Sequence, residues 1–337
     1  MRYLVTGATG FIGGHLCQKL QGLGEVRALH RKSSSLRHLE GLAVERFLGD
    51  ISQPETLVEA MQDVDIVFHT AAPTGSLVDA GQIYTLTVEG TRAVLQTARE
   101  SGVKRVVYTS SVSALGVPGV SLDRKSFPTP LNEYHTWNYQ AENWPEGYAK
   151  YLAEFEVQKQ IALGLDAVIV NPTLIFGRRD FYRQSSSLIV QIARGRIPFM
   201  VRGGINVVHI DDVIQGHLMA AEKGKCGERY ILGGENLTHV QLIKEIAHAV
   251  HVDTPRGIAP TGLVRGLQRL IEPFSQFINL PVSKDILSLA GYYFYYDSRK
   301  AQVDLGLSPP FSASQAVEDA VKWFQENGVL MKSGLTE

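Results

Sequence analysis

The sequence predicts an α/β protein with a doubly wound parallel sheet and a smaller, mostly helical lobe on the substrate side. Three observations carry this. Short β-branched runs alternate with helix-length amphipathic segments through the first half, the rhythm of βαβ units. A glycine triplet, Gly7, Gly10 and Gly13, falls where the first strand gives way to the first helix. After about residue 171 the rhythm weakens into proline-, glycine- and aromatic-rich connections between further helices.

The predicted strands are Tyr3 to Val5, Val26 to Leu29, Val44 to Leu48, Ile66 to His69, Arg105 to Thr109 and Ala167 to Val170. Between them lie helices near 11–22, 54–62, 81–101 and 146–163. Beyond residue 171 the pattern suggests helices near 185–195, 211–223, 238–250, 258–272 and 312–327. The expected division is a dinucleotide-binding domain over 1–175, with 206–234 returning to it, and a substrate lobe from 176–205 and 235–337.

A chain of 337 residues, 44% hydrophobic and 20% charged, buries a sizeable core. A formal net charge of -1 gives no electrostatic reason to expect nucleic acid or an anionic membrane as partner. Cys17 and Cys226 are too few and too far apart for a disulfide framework or a zinc site, so no metal is expected and a reducing cytoplasm is the simplest compartment. The apolar run at the N-terminus is broken by glycine too early for a signal segment, and no run reaches the roughly 18 residues of a membrane span. A helix around 262–280 is apolar enough to touch a lipid-like substrate.

In "LVTGATGFIGG" the three glycines answer three needs: a tight turn, close backbone approach to a pyrophosphate, and close packing of helix on strand. Free N–H groups and the positive dipole end of the helix then face the phosphates. Gly7, Thr9, Gly10, Phe11, Ile12 and Gly13 are the expected contacts in this Rossmann-type loop. At the end of the second strand a carboxylate would bind the ribose 2′-OH of NAD, but this chain has Arg31, Lys32 and Ser33. An arginine forks onto a 2′-phosphate, so NADP is favoured over NAD. Asp50 and Ile51 after the third strand are placed to meet the adenine, and Thr70, Ala71 and Ala72 end the fourth where backbone passes close to a ligand.

These motifs, in order, resemble the extended short-chain dehydrogenase/reductase superfamily, also called the NAD-dependent epimerase/dehydratase family. "TGATGFIG" looks like its nucleotide loop, "GDI" its adenine contact, "HTAA" its nicotinamide-side strand end, and "TVEGT" its Asn-Val-x-Gly-Thr, with Thr87 for the asparagine. "VVYTSSVSALG" resembles the active-site serine strand, "NPTLIFG" the strand after the catalytic helix, "VHIDDV" a later helix start, and "DSRKAQVDLGLSP" the C-terminal signature. The resemblance implies that Ser111 helps hold a substrate oxygen, that Asn171, Pro172 and Thr173 approach the cofactor, and that the chain pairs as a homodimer through helices near 81–101 and 146–163.

The tail "KYLAE" matches the family's lysine and implies that Lys150 binds the nicotinamide ribose. The family's tyrosine, which transfers the proton, stands four residues earlier, and here that position holds Glu146. Tyr148 precedes Lys150 by two residues, roughly 200° around a helix, so the two are expected to point to different sides. A carboxylate titrates near 4 and a nearby ammonium lowers it further, so Glu146 carries no proton at neutral pH. Tyr134 and Tyr139, in the long insert before the helix, are the other tyrosines to weigh.

On the substrate side, sugar-nucleotide members carry an arginine just before the segment matching "VVHIDD", where this chain has Ile205 and Asn206, with Arg202 nearby. Together with the apolar "LVRGLQRLIEPF" and the aromatic "YYFYY", this resembles the dihydroflavonol-reductase and hydroxysteroid-dehydrogenase branches. The expected activity is an NADP-dependent oxidoreductase moving hydride between the nicotinamide and a ketone or secondary alcohol of a small, rather apolar substrate. The alternatives are a nucleotide-sugar epimerase or dehydratase and, from another class, a catalytically weak NADP-binding sensor or scaffold.

Overall fold

A computed structural model describes residues 1–72, 80–119, 128–183, 185–260 and 291–330. Seven strands form one parallel sheet in the order β10-β6-β5-β4-β1-β2-β3. They are β1 (Arg2–Thr6), β2 (Glu25–His30), β3 (Glu45–Leu48), β4 (Ile66–His69), β5 (Arg105–Thr109), β6 (Ala167–Pro172) and β10 (Arg229–Leu232). The six anticipated strands are all present, within one or two residues at their ends, and β10 is an addition from the returning segment. The order reverses between β1 and β4, so the chain leaves β1 and β4 on either side of a crevice at the carboxyl ends of the strands, where open α/β sheets bind ligands.

Helices cover both faces, as burial of a parallel sheet requires. On one side α1 (Phe11–Leu20) and α7 (Ile210–Lys223) share a core with Val5, Phe68, Val107 and Val170. On the other, α2 (Glu55–Ala60), α4 (Gly90–Glu100) and α5 (Pro145–Ala162) pack on Leu4, Val67, Val106 and Ile169. Proline opens α5, where its missing N–H costs no helical bond. The helix α3 (Ala80–Tyr84) runs into α4 through one π turn, Thr85–Glu89, which carries Thr87 buried inside. Arg92 of α4 forks onto the buried Glu156 of α5 at 2.9 and 3.3 Å, which fixes the two helices against each other. A charged residue inside β2, Arg27, is accommodated because it donates to the last carbonyls of α2, Glu59 O and Ala60 O, and to Glu45.

Beyond β6 the chain adds a small mixed sheet that the weakened rhythm did not announce. Its centre is β9 (Gly204–His209), flanked by β7 (Leu174–Phe176), β11 (Glu235–Thr238) and β13 (Tyr293–Phe294), so β7 straddles the boundary expected at 175. Helices α6 (Ser187–Ala193), α8 (His239–Ala249) and α10 (Ala313–Glu326) close over it, and α9 (Arg299–Leu305) returns to the large sheet beside β10. Full capping boxes at Thr238 and Ser312 start α8 and α10. A helix was expected near 258–272, but Ile258–Ala259 is a strand, β12, paired with β8 (Met200–Val201). Residues 261–272 of that stretch, and all of the apolar 262–280 segment, lie outside the described residues. No helix among the described residues is long and apolar enough to cross a membrane.

Candidate active site

The nucleotide loop is built tightly. Gly7 has φ +68, and a Cβ there would stand 2.7 Å from Ala71 N, so only glycine lets the loop meet the end of β4. A Cβ on Gly13 would collide with Gly7 O, which is how α1 comes so close to its strand. Gly10 is the N-cap of α1 and no side chain caps it, so the first N–H groups of α1, from Phe11 to Gly13, are presented to the crevice. Thr70 Oγ donates to Thr6 O at 2.7 Å and Ala71 N to Thr6 Oγ, which sets Thr70 and Ala71 beside the loop; Ala72 follows them, and Thr9 lies within the loop between Gly7 and Gly10. Such a cradle of uncapped N–H groups and absent Cβ atoms fits the pyrophosphate of a dinucleotide.

Arg31, Lys32 and Ser33 follow β2 and are all exposed. Asp50 closes its own turn by accepting from Ser52 N and Ser52 Oγ, each at 2.9 Å, and Ile51 packs against Gly90 at the head of α4. The side chains of Asn171 and Thr173 are turned to protein partners: Asn171 donates to Ser111 O and Glu154, Thr173 to Asn206 Oδ1. Pro172 ends β6 between them.

At the end of β5, Ser111 starts a 3-10 turn and its Oγ accepts from Ser113 N at 3.1 Å. Lys150 reaches across from α5 and donates from Nζ to Thr109 O at 3.0 Å, above the Tyr108 ring. Its ammonium is buried, and burial pushes its pKa down to about 8 against the pull of Glu146 and Glu154, both of which favour the charged form. His69, at the end of β4, is held between Thr6 and Thr91 hydroxyls, and burial beside Lys150 keeps it neutral with a pKa of about 3.

The helix is regular from Pro145 onward, and this decides which residues share a face. Glu146, Lys150 and Glu154 follow each other at four-residue steps on the face toward β5. Tyr148 lies on another side, its ring 5.4 Å from Trp137 and 6.2 Å from Tyr151, in an aromatic row that ends at Phe155. Tyr134 is 86% exposed, and Tyr139 packs with Leu115, Leu131 and Trp144. Glu146 is exposed in the first turn of α5.

One residue that the motif reading did not single out organises the site. Glu154 is buried and accepts from Ser110 Oγ at 2.6 Å, Asn171 Nδ2 at 2.7 Å and Arg229 Nη1 at 3.0 Å. Through Asn171 it also fixes the carbonyl of Ser111. Arg229 in turn holds the carbonyls of Glu133 and His135, tying the segment before α5 to the sheet. On α5, Phe155 is exposed while Glu154 is buried, the reverse of what polarity alone would arrange.

On the substrate side, Asn206 is enclosed by bonds to Gly234 and Asn236 as well as Thr173, Ile205 is half-buried, and Arg202 is exposed. The aromatic strand brings Phe294 edge-on to Trp144, 5.9 Å away, at the very start of α5. Leu115, Ile231, Phe294 and Tyr296 belong to a buried cluster against which Trp144, the residue before α5, packs. No cluster of three metal-ligating side chains occurs among the described residues.

Comparison with known proteins gives a consistent result. The model of the NAD dependent epimerase/dehydratase family matches residues 3–233. A putative dihydroflavonol 4-reductase of Synechocystis is 33% identical over 97% of this chain and 95% of its own length. Sterol demethylase protein B of Methylococcus capsulatus is 34% identical over 98% of this chain and 100% of its own. The crystal structure of gox2253 superposes with a TM-score of 0.84 at 34% identity, covering 97% of this chain and 99% of that one. The chain therefore belongs to the NAD dependent epimerase/dehydratase family and is an oxidoreductase of the extended short-chain dehydrogenase/reductase type.

Proposed function

We propose that the protein is an NADP-dependent oxidoreductase that interconverts a ketone and a secondary alcohol on a small, largely apolar substrate. The observation that carries this is the meeting of three parts at the carboxyl ends of the strands: the uncapped start of α1, the Ser111 turn after β5, and Lys150 anchored to Thr109 O. Bound there, a nicotinamide dinucleotide would supply the hydride. Gly7 to Gly13 hold its pyrophosphate, Lys150 its ribose, and Ser111 orients the substrate oxygen.

The preference for NADP rests on Arg31, Lys32 and Ser33, which offer cations and a hydroxyl, with no carboxylate to repel a 2′-phosphate. The apolar substrate rests on agreement with relatives named for a dihydroflavonol and a sterol. We assign substrate recognition to 176–205 and 235–337, and pairing of two copies to α4 and α5, where Phe155 is 47% exposed. The thiols Cys17 and Cys226 are both free, in keeping with a reducing, cytoplasmic setting.

Titration with NADPH and with NADH by quenching of protein fluorescence tests the cofactor. Tighter binding of NADPH, reversed by Arg31→Glu, supports the reading; equal affinity for both, unchanged in that variant, contradicts it.

A further inference from the structure

A reductase of this type must give a proton to the substrate oxygen, and Glu146 stands four residues before Lys150, where the family resemblance implies the proton-transferring tyrosine. Among the described residues no tyrosine shares the Lys150 face of α5. Tyr148 and Tyr151 stack with Trp137 on another side, Tyr134 is 86% exposed, and Tyr139 packs into the cluster around Leu115. What that face does hold is Glu146 at its solvent end, Lys150 one turn on and Glu154 one turn deeper. Glu154 is occupied by Arg229, Ser110 and Asn171. Lys150 is bonded to Thr109 O, two residues from Ser111.

We propose that Lys150 itself delivers the proton to the Ser111-held oxygen, and that Glu146 is a positioning residue which keeps the Lys150 ammonium charged between turnovers. The inference rests on the ketone reduction proposed above. A bound reduced nicotinamide would supply the hydride to the carbonyl carbon; the substrate oxygen, which gains the C=O π pair, takes H⁺ from the Lys150 ammonium. Lys150 is left as a neutral amine and regains a proton from solvent at the Glu146 end. In the oxidative direction the same amine removes the alcohol proton.

Burial disfavours the charged amine and brings its pKa to about 8, so the group gives up a proton far more readily than an exposed lysine while remaining mostly charged at neutral pH. The groups facing it are Glu146 and Glu154 from α5, the Tyr108 ring from β5 and the neutral His69 from β4. Of these, Glu146 contributes most to holding the charge. A tyrosine in its place would add a second acid; a glutamate instead tunes the first.

Two variants test this. Lys150→Arg keeps a cation for the ribose but does not release its proton, so it should lose at least about 100-fold in kcat for ketone reduction while NADPH affinity changes much less. Glu146→Gln should lower the upper limb of the pH profile of reduction, and by the same amount the midpoint of the Lys150 Cε resonance followed by NMR and assigned with Lys150→Met. Wild-type kcat in Lys150→Arg, or a Glu146→Gln variant with both midpoints unmoved, overturns the proposal. Absence of hydride transfer by the wild type to any ketone, with NADPH bound, fails the functional reading instead, and the inference with it.

Discussion

Removing the Glu154 carboxylate should cost the fold heavily, because it strands three groups at once. Glu154→Ala leaves the Arg229 guanidinium without its charge partner, and Ser110 Oγ and Asn171 Nδ2 without the acceptor they reach at 2.6 and 2.7 Å. Breaking a buried pair from one side costs about 3–5 kcal/mol, since the surviving charge stays buried and uncompensated. In a domain of this size that lowers the melting temperature by on the order of 10 °C. Glu154→Gln keeps an acceptor for Ser110 and Asn171 but loses the charge and the acceptor for Arg229, so it should fall between the wild type and Glu154→Ala. In urea titrations Arg229→Met combined with Glu154→Ala should cost less than the sum of the two single changes. A Glu154→Ala loss below about 1 kcal/mol, or strict additivity with Arg229→Met, would refute the view that this carboxylate holds β5, β6, β10 and α5 together.

Gly7→Ala should abolish dinucleotide binding, read by calorimetry, while a folded far-ultraviolet spectrum is retained, because the added Cβ meets Ala71 N at 2.7 Å in a backbone with φ +68. Acid should unfold the protein earlier than its carboxylates alone would dictate. His15 and His217, with pKa values of about 4, and His38 and His69, at about 3, are buried neutral, so the unfolded chain binds more protons below its own value of roughly 6.5. Stability is therefore full above that pH and falls as pH drops toward the folded values, by up to about 1.4 kcal/mol per unit for each histidine. Urea midpoints at pH 7.5 and 5.5 should differ less in His217→Gln than in the wild type; an equal difference counts against this assignment. Phe155→Glu should convert a dimer into a monomer in sedimentation if the exposed end of the α5 aromatic row is where two copies meet.

The shape of the glycine loop and the shared face of α5 were legible because both depend on local geometry. The Gly7 to Gly13 loop needs particular residues at particular spacings, and the four-residue step from Glu146 to Lys150 follows from helix periodicity alone. The large sheet was legible for a similar reason, since buried parallel strands read as apolar runs. The small sheet was not. Its strand β13 is two residues long, as are β8 and β12 of the separate two-stranded pair, and Tyr293 pairs with Gly204 across a long stretch of sequence, so nothing local marks these as strands. Glu154 escaped notice because a buried carboxylate is defined by its partners, and Ser110, Asn171 and Arg229 come together only in the folded sheet. Likewise, Asn171 and Thr173 match a cofactor-facing motif, yet their side chains serve the interior network.

Hydride exchange between NADP(H) and a carbonyl carbon at the mouth between Ser111 and Lys150 can be followed directly. Incubating the protein with NADPH deuterated at the nicotinamide C4 and a panel of apolar ketones, then reading the products by NMR, measures it. A secondary alcohol with deuterium on the carbinol carbon is expected, and its loss in Lys150→Arg; recovery of every ketone unchanged, with NADPH bound, would contradict the proposed function.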